Sequence, residues 1–145
     1  MKNRKSIKEG IKYIKSIQRK DGSWKGSWGV CFTYAIWFGI EALAGIGEFA
    51  SNSECSRKAC EFLLTKQNAD GGWGESFNSC VTMEYVQHPD GSQVVNTAWS
   101  VIALLIAKYP DRKYIQRGVE VCSFFFFIYL FINIYTFILS FPLSI

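Results

Sequence analysis

Few side chains in this 145-residue sequence could act as metal ligands or as nucleophiles. The single histidine, His88, stands in a polar stretch before Pro89 and Asp90, which is typical of a solvated loop rather than of a zinc ligand. The cysteines include no Cys-x-x-Cys pair, and their odd number argues against a secreted disulfide framework. They are Cys31, Cys55, Cys60, Cys80 and Cys122. We therefore expect no metal site, and we predict reduced thiols in a reducing compartment.

The acidic residues do not suggest a catalytic acid. The aspartates stand in turns or at helix starts, where an exposed carboxylate is an ordinary weak acid. They are Asp21, Asp70, Asp90 and Asp111. The net charge of +4 is mild, and the basic residues near the amino terminus recur between apolar residues at helical spacing. This pattern predicts a solvated helix face and no nucleic-acid partner.

The clearest pattern in the sequence is an internal repeat. GIKYIKSIQRKDGSW (residues 10–24) aligns without a gap with ACEFLLTKQNADGGW (residues 59–73). Each stretch predicts a helix that ends at a glutamine, followed by an Asp-Gly turn and a tryptophan. We expect the tryptophan to fold back onto the helix and the glutamine amide to bond backbone groups left open there. The structural residues of the repeat are Gln18, Gly22, Trp24, Gln67, Gly71 and Trp73.

A second, more apolar helix is predicted after each turn. The two segments are residues 28–47, WGVCFTYAIWFGIEALAGIG, and residues 94–109, VVNTAWSVIALLIAKY. Helices that are apolar on nearly all sides are expected to be buried on all sides. Alternating amphipathic and apolar helices predict an all-α fold, a partial α/α barrel (toroid) of helical hairpins with an outer and an inner layer.

The repeat breaks near Cys122. A third unit begins at Arg117-Gly118, but Phe126 and Ile132 stand where its glutamine and tryptophan should be. We therefore divide the chain into a repeat region, residues 1–121, and a hydrophobic tail, residues 122–145. The tail contains no charged residue and is long enough for a transmembrane helix. Because it starts in the middle of a repeat, we favour the alternative that it is aberrantly translated sequence.

The tryptophan-closed repeats, together with GSWGVCFTYAIWFG (residues 26–39), resemble the oxidosqualene cyclases and, most closely, the plant triterpene synthases. The resemblance continues through QNADGGWGESFNSC and QVVNTAWSVIALL and covers residues 5–121. Similar glycine-tryptophan turns occur in protein prenyltransferase β subunits, but the WGVCFTY string separates the two families. A prenyltransferase-like subunit would also need a zinc site, for which His88 is poorly placed.

The resemblance implies a carboxyl-terminal portion of an enzyme that cyclises 2,3-oxidosqualene to a triterpene alcohol or a sterol precursor without a cofactor. It implies α/α barrel domains and a position on the cytosolic face of the endoplasmic reticulum or on a lipid droplet. It also implies that Trp28 and Tyr34 line the substrate cavity, because aromatic rings attract a migrating carbocation and offer no nucleophile to end the cascade. For Phe32, Trp37 and Phe38, core packing is at least as good an interpretation.

The sequence departs from the family in two ways. The family's Asp-Cys-Thr-Ala-Glu motif, whose aspartic acid protonates the epoxide, is absent, so we expect no catalytic residue and no activity from this chain alone. Ala35-Ile36 stands where Gly-Thr is common, which adds volume that is expected to reshape the pocket or strain its packing. The alternative function is a non-catalytic truncated protein that associates with a membrane or with a full-length cyclase.

Overall fold

The computed structural model describes residues 2–139, and the side chains of residues 5–133. Six helices follow one another: α1 Lys2–Ser16, α2 Thr33–Ala44, α3 Glu54–Thr65, α4 Asn78–Thr82, α5 Val94–Ile106 and α6 Arg112–Leu139. Over these residues the only β-type pairing is an isolated antiparallel bridge between Glu75 and Gln87, and no strand forms. The all-α prediction is therefore confirmed.

Helices α2 and α5 pack against each other at the centre of the molecule, with α3 against α2 and α6 against α5. The buried side of α2 carries Ile36, Ile40 and Leu43, which recur at helical spacing and are fully inaccessible to solvent. Leu104 on α5 and Leu63 on α3 belong to the same core. Burial of each such side chain stabilises the fold by about 1.5–3 kcal/mol relative to exposure.

The prediction that the apolar helices are buried on all sides is wrong for this chain. Phe38 on α2 and Leu105 on α5 are each more than half exposed, at 54% and 55%. Val95 and Ile102 on α5 are exposed as well. These positions are apolar as predicted, but none of the described residues covers this side of the α2–α5 pair.

The glutamine of each predicted turn bonds in the same way. The Gln18 amide donates a hydrogen bond to the carbonyl of its own turn's glycine at 2.9 Å and to Cys55 O on α3 at 2.8 Å. The Gln67 amide donates to the equivalent glycine carbonyl at 2.8 Å and to Tyr114 O on α6 at 2.8 Å. The first amide thus joins its turn to α3, and the second joins its turn to α6.

The tryptophan of each turn folds back over the preceding helix. The Trp24 indole N–H donates to Ile14 O at 2.8 Å, and the Trp73 indole N–H donates to Leu63 O at 2.7 Å. Trp24 is 4% exposed and Trp73 is fully buried. Both helices end two residues before the glutamine, at Ser16 and Thr65, so the predicted helix ends are late by two positions.

The two glycines are required by conformation and by space. Gly22 and Gly71 have φ values of +90° and +98°, a region that side chains with a Cβ rarely adopt. A Cβ at Gly22 would lie 2.4 Å from Lys58 O, and a Cβ at Gly71 would lie 2.7 Å from Arg117 Cβ. The turns therefore approach the backbones of α3 and α6 more closely than any other residue would permit.

Helix α6 continues through the point where the sequence repeat breaks. Its first part packs on the body: Ile115 and Val121 are buried, and Gly118 approaches Trp73 and Val101 so closely that a Cβ would overlap both. Its later part leaves the body but stays helical to Leu139. Among the residues the structure describes, Arg112–Asn133 is the one helical stretch long and apolar enough to cross a membrane.

Candidate functional site: an aromatic surface at the start of α2

A buried carboxylate fixes the amino end of α2. Glu75 is fully buried, and its Oε1 accepts hydrogen bonds from the backbone N–H groups of Cys31 and Phe32, the latter at 2.8 Å. Its Oε2 accepts the Thr33 N–H at 2.8 Å. A negative side chain at a helix amino terminus pairs with open N–H groups and with the positive end of the helix dipole. The turn after Trp73 therefore positions the first residues of α2.

A polar chain ties this cap to α5. The Thr33 hydroxyl lies 2.9 Å from Glu75 Oε2 and 2.9 Å from Asn96 Oδ1, and the Asn96 amide donates in turn to Gln93 Oε1. Thr33 and Asn96 are both buried. Because buried polar groups are stable only when they are paired, this chain fixes how the starts of α2 and α5 lie relative to each other.

Tyr34 holds the loop that carries Trp28. The Tyr34 hydroxyl accepts hydrogen bonds from the backbone N–H groups of Ser27 at 2.8 Å and of Trp28 at 3.2 Å. Gly26 makes this approach possible, because a Cβ there would lie 1.8 Å from the tyrosine oxygen. Trp28 itself is 84% exposed and precedes the first residue of α2. The two residues predicted to line a cavity are thus joined through the backbone of one loop.

Four aromatic rings lie side by side next to this loop. Tyr34 contacts Phe38 and Trp99 edge-on, with ring centroids 5.8 and 6.0 Å apart. Trp37 packs against Phe38 at 4.9 Å and is stacked near Trp99 at 6.5 Å. We refer to Trp28, Tyr34, Trp37, Phe38 and Trp99 as the aromatic surface. It offers several ring faces and edges on the side of the α2–α5 pair that no other described element covers.

The structure distinguishes the buried from the exposed residues among the three aromatic residues for which the sequence allowed either core packing or cavity lining. Phe32 is fully buried and packs against Phe62 and Tyr85, so it belongs to the core. Phe38 is exposed and Trp37 is half-buried on the aromatic surface. Ile36, whose added volume is expected to reshape the pocket or strain its packing, is fully buried in the core.

Sequence reasoning missed Trp99 and Glu75. A signal for Trp99 existed, because it occupies the same position relative to the start of α5 as Phe38 does relative to the start of α2. No local signal pointed to Glu75, since the groups it caps lie 42 to 44 residues earlier in the chain.

Asp21 and Asp70 lie in turns and His88 lies in a loop, as the sequence predicts. Asp21 accepts the Ser23 N–H at 3.0 Å, and Asp70 accepts the Gly72 N–H at 2.9 Å, so both stabilise local turns. His88 lies in the loop before α5, where its Nδ1 accepts the Asp90 N–H at 3.2 Å. Within the described part of the chain, no three acidic, histidine or cysteine side chains converge as a metal site would require.

The prediction of reduced thiols is wrong for one pair of cysteines. Cys31, next to the Glu75 cap, forms a disulfide with Cys80 on α4, and their Cα atoms are 5.7 Å apart. Cys55, Cys60 and Cys122 are free. The odd count hid this pair because three unpaired thiols accompany it. The bond joins the loop before α2 to the segment that follows Glu75, so it reinforces the same junction.

The fold and site define a class of protein: an all-α domain that exposes clustered aromatic rings on α2 and α5. The family model described as the squalene-hopene cyclase C-terminal domain matches residues 1–123, and the chain belongs to this family. The match ends just after the position where the repeat breaks.

Named relatives agree with this assignment. The chain is 62% identical over 116 residues to cycloartenol synthase of Dictyostelium discoideum, which covers 80% of this chain and 16% of that enzyme. It is 51% identical over 116 residues to lanosterol synthase of Pneumocystis carinii, again 80% of this chain and 16% of the relative. With the human lanosterol synthase it shares 45% identity over 120 residues, 81% of this chain and 16% of the enzyme. The chain therefore spans about one-sixth of the length of these relatives.

Proposed function

We propose that this chain is a part of a triterpene synthase that cyclises 2,3-oxidosqualene, and that its aromatic surface forms one wall of the substrate cavity. The observation that carries the proposal is the set of rings around Tyr34, held in place by the Glu75 cap and left open on one side. Support also comes from the relatives, which are named lanosterol synthases and a cycloartenol synthase.

The proposed role follows from the chemistry of the rings. A carbocation within about 6 Å of an aromatic face is attracted by about 0.5–2 kcal/mol, and more when water is excluded. Tyr34 presents its ring to this side while its hydroxyl is occupied with two backbone N–H groups. Its oxygen is therefore held away from a passing cation, and the wall stabilises positive charge without a free nucleophile.

The proposed architecture is a sector of an α/α toroid. Helices α2 and α5 form the inner layer, and α1, α3 and α6 pack outside it. Each closing turn is bonded to the next outer helix, an arrangement that adds hairpins in one direction. We place the limit of this region at residue 121. The uncovered apolar side of α5 is the side on which further hairpins of a complete toroid would pack.

Among the described residues we expect no donor for the proton that starts the reaction. Asp21 and Asp70 accept hydrogen bonds within their own exposed turns, and Glu75 accepts hydrogen bonds from groups of α2. We propose that the acid belongs to the part of a complete cyclase that this chain does not span. Incubation of the chain alone with oxidosqualene should therefore give no cyclic product by gas chromatography.

A chimeric enzyme tests the proposed wall. Residues 5–121 would replace the matching segment of the Dictyostelium cycloartenol synthase, and cyclic products would be measured. We expect the chimera to be active, and we expect Trp28→Ala to lower turnover about 10-fold or more or to divert the product. Tyr13→Ala is the matched control, because Tyr13 is a similarly exposed aromatic residue on α1. Equal activity and products for both variants would contradict the assignment of Trp28 to the cavity.

A second candidate function is association with a full-length cyclase. The observation that favours it is the exposed apolar side of α5, where Val95, Ile102 and Leu105 face outward. Co-purification of the chain with a full-length cyclase, lost in Ile102→Glu, would support this function. Recovery of the chain without any cyclase would remove it.

A further inference from the structure

The loop that carries Trp28 lies between α1 and α2, outside any helix, and is held by few attachments. Cys31 O accepts the Gly26 N–H at 2.7 Å, which closes a short loop of residues 26–31 with Trp28 exposed on it. We refer to these residues as the Trp28 loop. The Cys31 N–H donates to the Glu75 carboxylate, and the Cys31 sulfur forms the disulfide. Cys31 therefore closes the loop and also anchors it to the body.

The disulfide partner of Cys31 lies in a segment that is fixed independently of the bond. Cys80 lies on α4, and hydrogen bonds hold the residues on both sides of this helix together. The Ser76 N–H donates to Val86 O at 2.8 Å, and the Val86 N–H donates to Ser79 Oγ at 2.9 Å. Opening of the disulfide therefore leaves the α4 segment in place and removes a constraint from the Trp28 loop.

The two sulfur atoms of the bond differ in their accessibility. Cys31 is 0% exposed, whereas Cys80 is half-buried. Phe77 and Val81, which flank Cys80 on the same segment, are 66% and 72% exposed, so this side of α4 lies at the surface. Thiol–disulfide exchange requires an attacking thiolate to reach one of the two sulfur atoms. The accessible atom for a thiol from solution is Cys80 Sγ.

We propose that the Cys31–Cys80 pair is an exchange site for low-molecular-weight thiols, and that its redox state controls the order of the Trp28 loop. With the bond closed, the loop is fixed to α4. With the bond open, the loop keeps its hydrogen bonds to Glu75 and to the Tyr34 hydroxyl, so the chain stays folded while the loop opens more often. The consequence for a substrate cavity rests on the proposed function, in which Trp28 belongs to the cavity wall.

The exchange takes place in two steps that conserve atoms and electrons. The thiolate of a first small thiol bonds to Cys80 Sγ, the bond between the two cysteines breaks, and its electron pair leaves with Cys31 Sγ, which takes up a proton. The thiolate of a second small thiol bonds to the sulfur of the first, and Cys80 leaves as a thiolate that is protonated in turn. Two small thiols are thereby oxidised to one disulfide, and the two cysteines are reduced.

Thiol trapping in the full chain tests the exchange. The chain in detergent micelles would be equilibrated with glutathione at graded ratios of its reduced to its oxidised form. It would then be quenched with acid, unfolded, alkylated and analysed by mass spectrometry. As the ratio rises, we expect the free cysteines to increase from Cys55, Cys60 and Cys122 alone to all five, with unchanged helical circular dichroism and a transient glutathione adduct on Cys80.

Three outcomes of the trapping experiment would overturn the proposal. A bond that opens only in urea would be a permanent structural link, and so would a bond whose opening abolishes the helical signal. Reduced Cys31 and Cys80 in oxidised glutathione would mean that the pair does not exchange. An adduct on Cys31 would overturn the assignment of Cys80 as the attacked residue.

Amide hydrogen exchange tests the effect on the Trp28 loop. Reduction should accelerate exchange at the Ser27, Trp28 and Cys31 N–H groups at least about 10-fold, because it removes a link that restricts local opening. Cys80→Ser should show this faster exchange with or without glutathione. Cys55→Ser is the matched control, because it replaces a half-buried free cysteine and should respond to glutathione like the wild type. Equal exchange in the oxidised and the reduced wild type would contradict control of the loop.

The chimeric cyclase separates this proposal from the assignment of the cavity wall. Reduction should change the turnover or the product ratio of the chimera, and it should have no such effect in the chimera with Cys80→Ser. Products that do not respond to reduction would overturn control of the cavity. Thiol-dependent loop exchange together with products that do not respond to Trp28→Ala would remove the wall assignment and support the exchange site, so the two proposals can fail separately.

Discussion

Replacement of Glu75 by glutamine tests the cap that positions the aromatic surface. The Glu75 carboxylate accepts three backbone N–H groups and lies 2.9 Å from the Thr33 hydroxyl, all in a buried site. The glutamine of Glu75→Gln keeps one acceptor oxygen, but its NH₂ group would face N–H donors on the other side. At least one backbone donor is then left without an acceptor.

The magnitude follows from the loss of that acceptor. A buried donor that loses its partner costs about 1–3 kcal/mol, so Glu75→Gln predicts a loss of at least about 1–3 kcal/mol in the free energy of unfolding. That is a large part of the roughly 5–15 kcal/mol available to a small domain. With a urea m-value of about 2 kcal/mol/M, the unfolding midpoint should fall by about 0.5–1.5 M.

The assay is urea unfolding of the full chain in detergent micelles, followed by tryptophan fluorescence. Glu84→Gln is the control, because Glu84 is exposed and pairs only with Arg19 among the described residues. The free energy of unfolding of Glu84→Gln should differ from that of the wild type by less than about 0.5 kcal/mol. Amide hydrogen exchange at Cys31 to Thr33 should accelerate in Glu75→Gln alone. Indistinguishable midpoints and exchange rates for the two variants would refute the capping argument.

Three further outcomes are expected. Gly71→Ala should lose about 1–3 kcal/mol of stability in the same urea assay, because Gly71 has a φ of +98° and a Cβ there would overlap α6. Gly10→Ala should gain up to about 1 kcal/mol, because nothing lies within 4 Å of the new Cβ. Hydrogen bonds from Lys15 and Ser53 lower the pKa of Glu48. At pH 7 the wild type should therefore be more stable than Glu48→Gln, and this advantage should vanish as the pH falls through the lowered pKa. Burial raises the pKa of Cys60 to about 12, so native-state alkylation at pH 8, followed by mass spectrometry, should leave Cys60 unmodified until the chain unfolds.

The sequence predicts best what depends on neighbouring residues. The Asp-Gly turns that follow α1 and α3 are predictable because a turn is determined by the residues that form it. The sequence predicts that α2 begins at Trp28, but it begins at Thr33, because its capping group is Glu75, 42 residues away from Thr33. The region from Trp28 to Phe32 is apolar enough for a helix, but its conformation is set by Glu75 and Tyr34.

The candidate site was predictable only in part for the same reason. Trp28 and Tyr34 came from the family resemblance, and their assignment to a cavity stays a prediction. The contact of Trp99 with Tyr34 depends on how α5 packs on α2, which periodicity alone does not specify. The Cys31–Cys80 bond likewise depends on how α4, which follows α3, packs against the loop before α2, and the odd cysteine count concealed it.

Photoaffinity labelling of the chimeric cyclase tests the central claim most directly. An uncyclisable oxidosqualene analogue with a diazirine on its chain would be cross-linked, and the adducts would be mapped by mass spectrometry. The aromatic surface predicts adducts within residues 28–38 and at Trp99. Adducts confined to the outer helices α1 and α3 would contradict it.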